Sequence, residues 1–411
     1  MWALTEGRDG RVAPVGQLIA VQRRRRGLSQ AVLAGLVGRT EGWLSKVERG
    51  EIEIDRISVL LQIAEALRVP ASTLMPGTMP EPSDVEHSAA LHLRLALSGH
   101  DILVAMFADP PQRADLGSWE ELDSELAACW RLVHAAEYVD LGERLPRLIS
   151  ALELTARDPA GGARGFRALA EVYQVTAAAM AKLQQTDVAW IAADRAVTAA
   201  ERAGDELLPA AGDFRLAHAF LQGGRLQQAW RVVDVALQAI GRRADSDDRP
   251  EAISLWGALN LVGAVIACRM GDVSAADGCL AAAAAAAARL DGDRNDYHTE
   301  FGPTNVALHQ VAVAVELGRS GEALRLASHI DAEALSAERR GRFLMDVARA
   351  HGQRRQAEEA VKALEEAEAL TPEQVGTHRV VHELLISLIR GERRRPNQPL
   401  RELARRIGVL R

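Results

Sequence analysis

Cysteine is scarce. The 411 residues hold three, Cys129, Cys268 and Cys279, at spacings that match neither a metal site nor a redox pair. An odd, sparse count fits a reducing compartment and excludes a disulfide framework. Aromatic residues make up only 4% of the chain, and few stretches alternate β-branched with polar residues. Both absences argue against sheet. There is no run of about 18 uncharged apolar residues, so no membrane span is expected. Glu6, Arg8 and Asp9 stand where a secretion signal would place its apolar core, so a cytoplasmic protein is expected.

Catalytic motifs are missing too. There is no phosphate loop ending in Gly-Lys-Ser/Thr, no Gly-x-Ser-x-Gly elbow and no His-Glu-x-x-His helix, which sets the commonest enzyme chemistries aside. His378 and His382 stand four apart on an expected helix. Lacking a nearby Cys or a clear acidic partner, they read as surface residues rather than metal ligands. Neither a cofactor nor a metal is expected.

What the chain does have is aliphatic. It is 48% hydrophobic and rich in Ala and Leu, a mix that favours helices packed through small side chains. The length exceeds one typical core and predicts two or three packed units. Charge is uneven. Residues 1–75 hold 11 Lys/Arg against 8 Asp/Glu, while the whole chain is at −7. A small basic head on an acidic body suits a head that meets phosphate.

The head parses into short helices. A first helix starts near Pro14 and ends in Arg23–Arg26, where Gly27 can close it in a left-handed conformation. Ser29 can cap the second helix and Thr40 the third. Gly38 sits where the turn between them needs positive φ. Leu33, Ala34, Val37, Leu44 and Val47 supply buried positions. Asp55 can cap a fourth helix with Ile57, Leu60, Leu61, Ala64 and Leu67 at helical spacing.

This order is Gly27-Leu28-Ser29-Gln30, Leu33-Ala34, Gly38 before Thr40, Val47-Glu48-Arg49-Gly50 and Ile63-Ala64-Glu65-Ala66-Leu67. It resembles the XRE (Cro/CI-type) helix-turn-helix regulators over about residues 14–75. The resemblance implies a lambda-repressor-like bundle whose third helix enters the major groove of double-stranded DNA. It places base reading on Glu41, Gly42 and Lys46. Lys46 can donate to guanine, and Glu41 can accept from cytosine. Trp43 either touches a thymine methyl or sugar, or packs at the surface. Gln30, Arg49 and Arg56 fall on phosphate-contact positions. Arg39 either adds a phosphate contact or points to solvent. Arg23 and Glu48 match a family ion pair with a structural role.

Pro76, Gly77, Pro80 and Pro82 mark a linker over 76–84, so the expected division is a head at 1–75 and a body at 85–411. The body shows alanines seven apart at 189/196, 229/236, 276/283 and 360/367, with a weaker match at Ala323/Ile330. These resemble the small-residue positions of tetratricopeptide (TPR) repeats. Repeat starts fall near Ala170, Ala210, Gly257, Thr304 and Gly341, and residues 119–157 read as a more divergent helical pair. The expected fold is all-α, a helix-turn-helix bundle followed by a TPR-like α-solenoid. The segment Phe301–His309 and the terminal Leu400–Arg406 look similar to segments of actinobacterial regulators that join such a head to such a body.

Groove-facing positions of TPR repeats fall here on Gln174, Lys182, Arg215, His218, Gln222, Arg269, Asn305, His309, Arg342, Asp346 and Arg349. Polar groups on an apolar helix face need partners. Several Arg with an Asn can hold a peptide backbone and its carboxylate. Against this stand plainer roles: Arg215 or Arg269 paired with an acidic neighbour, Asn305 as a helix cap, His309 as a satisfied core histidine. The resemblance implies a homodimeric regulator on a palindromic operator that senses a peptide or small molecule. The alternative is a DNA-tethered scaffold that recruits a partner protein and has no small effector.

Overall fold

The computed structural model describes residues 15–26, 28–52, 54, 57–67, 74, 93–94, 97, 117–158, 160–246, 249–333, 335–391 and 398–410. The chain divides into two compact units, residues 1–81 with 408–411, and residues 82–407. Gly27, Asp55, Arg56 and the 76–84 linker lie outside the described residues.

The first unit holds α1 (Val15–Arg25), α2 (Gln30–Leu36), α3 (Glu41–Glu48) and α4 (Ile57–Ala66). Ser29 Oγ accepts the Val32 N–H at 3.1 Å and Thr40 Oγ1 the Trp43 N–H at 3.3 Å, so both helices begin where a side chain satisfies an orphan donor. Gly38 turns the chain between α2 and α3 at φ +65°. Ile19, Leu33, Leu44, Val47, Ile63 and Leu67 are buried in one core. Each such aliphatic contributes roughly 1.5–3 kcal/mol. Helices α1 and α3 meet at Gly16, where a Cβ would stand 1.9 Å from the Val47 carbonyl oxygen.

The second unit is a succession of helical hairpins: α5 (Trp119–Ala135) with α6 (Tyr138–Arg157), α7 (Gly162–Lys182) with α8 (Thr186–Ala200), and α9 (Leu208–Gln222) with α10 (Leu226–Ser246). Then come α11 (Pro250–Arg269) with α12 (Val273–Ala287), α13 (Pro303–Glu316) with α14 (Ser320–Ala327), and α15 (Ala337–Gln353) with α16 (Ala357–Leu370). Last are α17 (Pro372–Thr377), α18 (Arg379–Gly391) and α19 (Gln398–Arg406). No strand forms among the described residues.

One turn recurs. Each of the six hairpins carries a single left-handed residue between its helices: Ala136, Gln184, Gly224, Gly271, Gly318 and Arg355. In each, the following N–H returns to a carbonyl five residues back, as from Gln185 to Met180 and from Arg319 to Ala314, both at 2.8 Å. This bond satisfies a carbonyl left orphaned at the end of the first helix. The alanines seven apart (189/196, 229/236, 276/283, 360/367) are all buried on the second helices. Small side chains there let the paired helices approach closely. Ala323 is buried as well, but Ile330 falls beyond the end of α14.

Helix α11 has the length and apolar character of a membrane span, with 83% of that stretch buried inside the unit. It is a core helix. Between α12 and α13 the chain folds back, with Arg294 N–H bonded to the Phe301 carbonyl at 2.8 Å. Tyr297, His298 and Glu300 are all left-handed. The buried Phe301 ring lies over Gly257, where a Cβ would come within 2.0 Å of it.

Candidate nucleic-acid interface and candidate ligand cavity

In the first unit, Glu41, Gly42 and Lys46 are exposed on one side of α3, while Leu44 and Val47 are buried on the other. Lys46 has no hydrogen bond or ion pair among the described residues. A Cβ on Gly42 would meet nothing within 4 Å. No internal contact therefore demands a glycine, which costs about 1 kcal/mol in a helix. Arg39 lies over the Trp43 ring at 5.4 Å, and the exposed Thr40 is committed to its cap.

Beneath this surface, Arg23 makes a two-pronged pair with Glu48, at 2.6 and 2.8 Å, and donates to the Leu28 carbonyl. Gln30, expected at phosphate, donates one amide N–H to the same Glu48 at 2.7 Å, so it also braces the ion pair. Burial works against the Glu48 carboxylate, but the bonds from Arg23 and Gln30 outweigh it and hold the group below its usual range. Arg49 is tied to Glu51 at 2.6 Å and to Ser45 Oγ at 2.6 Å.

The second unit holds a partly open cavity of about 190 Å³. Nine groove-facing candidates line it: Lys182, Arg215, His218, Gln222, Arg269, Asn305, His309, Arg342 and Asp346. Gln174 does not; it is buried in α7 with its Nε2 unpartnered. Arg349 also stands back, bonding Asp346 at 3.1 Å and Glu316 at 3.3 Å.

Most charges at the cavity are matched, three of the pairs across long sequence distances. Lys182 pairs with Glu338, which also accepts from Gln374. Arg269 pairs with Glu316 at 3.1 Å, Arg339 with Glu300 at 2.6 Å and Arg342 with Asp346 at 3.4 Å. Burial alone would raise the Glu300 carboxyl, but His134 and Arg339 hold it well below the normal carboxylate range.

Arg215 is different. Its hydrogen bonds among the described residues all leave from Nη2, to the carbonyls of Tyr297 and His298 at 3.2 and 2.7 Å. Its Nε has no partner. The guanidinium lies 5.1 Å from the Trp130 ring and 4.9 Å from Phe214. Burial pulls its pKa down to about 10, with Glu300 opposing from a distance. The other face of Trp130 carries the His298 ring, stacked at 3.9 Å.

Three histidines here are shifted toward the neutral form. Burial lowers His309 to about 4 and His298 to about 3, and it holds His218 well below its ordinary value. His309 Nδ1 contacts the Asn305 carbonyl at 2.9 Å. Asn305 does not cap α13; it is buried with its Oδ1 unpartnered.

His378 and His382, expected at the surface, are buried. His378 lines the cavity with Nε2 at 2.8 Å from Arg342, and His382 Nε2 contacts the Gly376 carbonyl at 2.7 Å. The cause is α17, a six-residue helix that folds the chain back so that α18 packs on α15. Among the described residues no three His, Cys, Asp or Glu side chains converge as metal ligands.

Sequence reasoning missed Trp130, His298, Glu338 and Arg339. Two of them were within reach, because α15 starts at Ala337, one turn before the repeat register that began at Gly341. The loop's return to α5 left no pattern to read.

Comparison with known proteins bears on the first unit. Residues 15–74 match the model of a helix-turn-helix domain. No curated protein sequence gives a significant match to the chain. Among solved structures, the chain is similar to the crystal structure of Bacillus thuringiensis PlcR in complex with the peptide PapR7 and DNA. The identity is 14%, over 67% of this chain and 94% of that one, with a TM-score of 0.26. An overlap that loose transfers neither shape nor function. Residues 15–74 of this chain are a helix-turn-helix domain, a module that presents a short helix to a DNA groove.

Proposed function

We propose that the chain is a sequence-specific, DNA-binding transcription regulator of the XRE type. In this reading its helical-repeat body binds an effector in the α7–α15 cavity and joins two copies into a dimer. The observation that carries the reading is α3: its buried face is locked by Leu44, Val47 and Glu48 while Glu41, Gly42 and Lys46 stand free in water. Polar side chains exposed along one side of a short helix suit base edges in the major groove. Arg39, Arg49 and Arg56 would meet phosphates, Thr40 would adjoin them at the helix start, and Gln30 would join them through its second N–H. Trp43 would seat Arg39.

A dimer would read two half-sites about 34–36 Å apart, or a multiple of that, hence a palindromic operator. An effector that prefers one form of the body shifts operator affinity by its differential affinity for the two forms.

Selection from a random duplex library with the full chain tests the reading. The expected product is an inverted repeat with half-sites one helical turn, or a multiple, apart. Enrichment of no sequence over random DNA refutes it.

A further inference from the structure

The cavity in the second unit is too small and too unevenly charged to be neutral toward its ligand. Among its lining residues Lys182, Arg215, Arg269, Arg339 and Arg342 face four carboxylates, those of Glu300, Glu316, Glu338 and Asp346. Four of the cations have a carboxylate partner, and Arg349 adds further positive charge behind Asp346 and Glu316. Arg215 is left over. A buried guanidinium with open N–H groups is costly unless an anion completes it.

The neighbouring imidazoles stay neutral near pH 7 because burial disfavours their charged forms. They therefore do not dilute the preference for one negative charge. Size limits the rest of the ligand. An apolar cavity of about 150 Å³ accepts benzene, so about 190 Å³ accommodates about one ring and a carboxylate. Ala177, Ala178 and Ala181 on α7, with Val262 on α11, give it an apolar wall.

We propose that this cavity takes a small organic monoanion, its carboxylate accepting from the open N–H groups of Arg215 beside Trp130 and its single-ring body against the alanine wall of α7. The buried, unpartnered Oδ1 of Asn305 is a second fixed point, an acceptor for a ligand hydroxyl or N–H. The inference deepens the effector reading above and rests on it only for the consequence of binding, not for binding itself.

Titration calorimetry on the full chain tests it, with benzoate, phenylacetate and 4-hydroxybenzoate as probes and their primary amides as uncharged matches. At least one acid is expected to bind ten-fold or more tighter than its amide. Arg215→Gln is expected to bring the acid down to the level of the amide. Asn305→Asp, close in shape, sets a negative charge on the wall and is expected to weaken the acid several-fold while sparing the amide, so the test survives if Arg215→Gln misfolds. Failure of all three acids to bind overturns the proposal. So does parity between acid and amide, or acid binding that neither substitution changes. Repeating the operator titration with the acid present separates the two readings. Binding without any change in DNA affinity would leave this inference standing and remove effector control. No binding beside intact operator recognition would do the reverse.

Discussion

In the first unit Lys46 and Glu41 stand in water with no partner among the described residues, and the buried cluster Arg23–Glu48–Gln30 holds α3 against its neighbours. In the second unit the arrangement is inverted. Cations and carboxylates face inward around a cavity, paired across up to 156 residues of sequence, as Lys182 with Glu338. Outward charge on a rigid helix suits a large, solvated, polyanionic partner whose phosphates bind in a salt-dependent way. Inward charge with one cation unmatched suits a small partner that is stripped of water. The same residue types thus serve two kinds of recognition, and burial decides which.

The largest effect that would sharpen this contrast is in the head. Glu48→Ala leaves Arg23, 12% exposed, without its carboxylate and costs roughly 3–5 kcal/mol. Hydrogen exchange on the full chain should show α1 and α3 losing protection while the hairpins of the body keep theirs. The counterpart in the body is Gly257→Ala, whose Cβ would strike the Phe301 ring. Overpacking of this kind costs about 1–3 kcal/mol. It should lower the calorimetric transition of the body and loosen the loop that carries His298 and Glu300, with operator affinity of the head unchanged.

Acid should also separate the units. The head, residues 1–75, has no histidine, whereas burial holds His309 at about 4 and His298 at about 3. The unfolded chain takes up protons on these groups near pH 6.5, and the folded body does not until far lower. Body stability is therefore intact above pH 6.5 and falls as pH drops toward 4. Asp213, pushed up to about 6 by burial and Glu201, and Glu171, raised by burial, work the other way, but two raised carboxyls do not offset several depressed imidazoles. The depressed Glu48 keeps its contribution in the head until pH falls below the normal carboxylate range. Calorimetry from pH 7 to 4.5 should show the body's transition moving down first.

The smallest effect concerns turns. In the head, Gly38 and Gly50 take positive φ, whereas the body places Ala136, Gln184 and Arg355 there. Ala136→Gly should stabilise the body by about 0.5–1 kcal/mol, since a left-handed non-glycine residue is strained, and a thermal melt reads it.

These turns also show how far the sequence could be read. The head was legible because its signals are local: Ser29 and Thr40 cap, Gly38 turns, and Leu33, Leu44 and Val47 recur at helical spacing. The hairpins were legible through alanines seven apart. Three of the six body turns lack the glycine that would have announced them, which blurred the repeat starts. The cavity was only half visible. Nine polar candidates line it, but some of their partners lie on a left-handed loop and on a helix whose first turn preceded the expected register. Gln174 and Arg349 stand off the cavity, since a fixed repeat register cannot follow hairpins that differ in length. His378 and His382 were misread because a six-residue helix reverses the chain without any periodic signal.

The central claim is that the exposed side of α3 reads base sequence. Its most direct test is an anisotropy titration of the selected operator duplex with the full chain and with Lys46→Ala. The account predicts a loss of about 1–3 kcal/mol, roughly 5–150-fold in affinity, with base preference relaxed at one position in each half-site. Unchanged affinity and unchanged preference would contradict it.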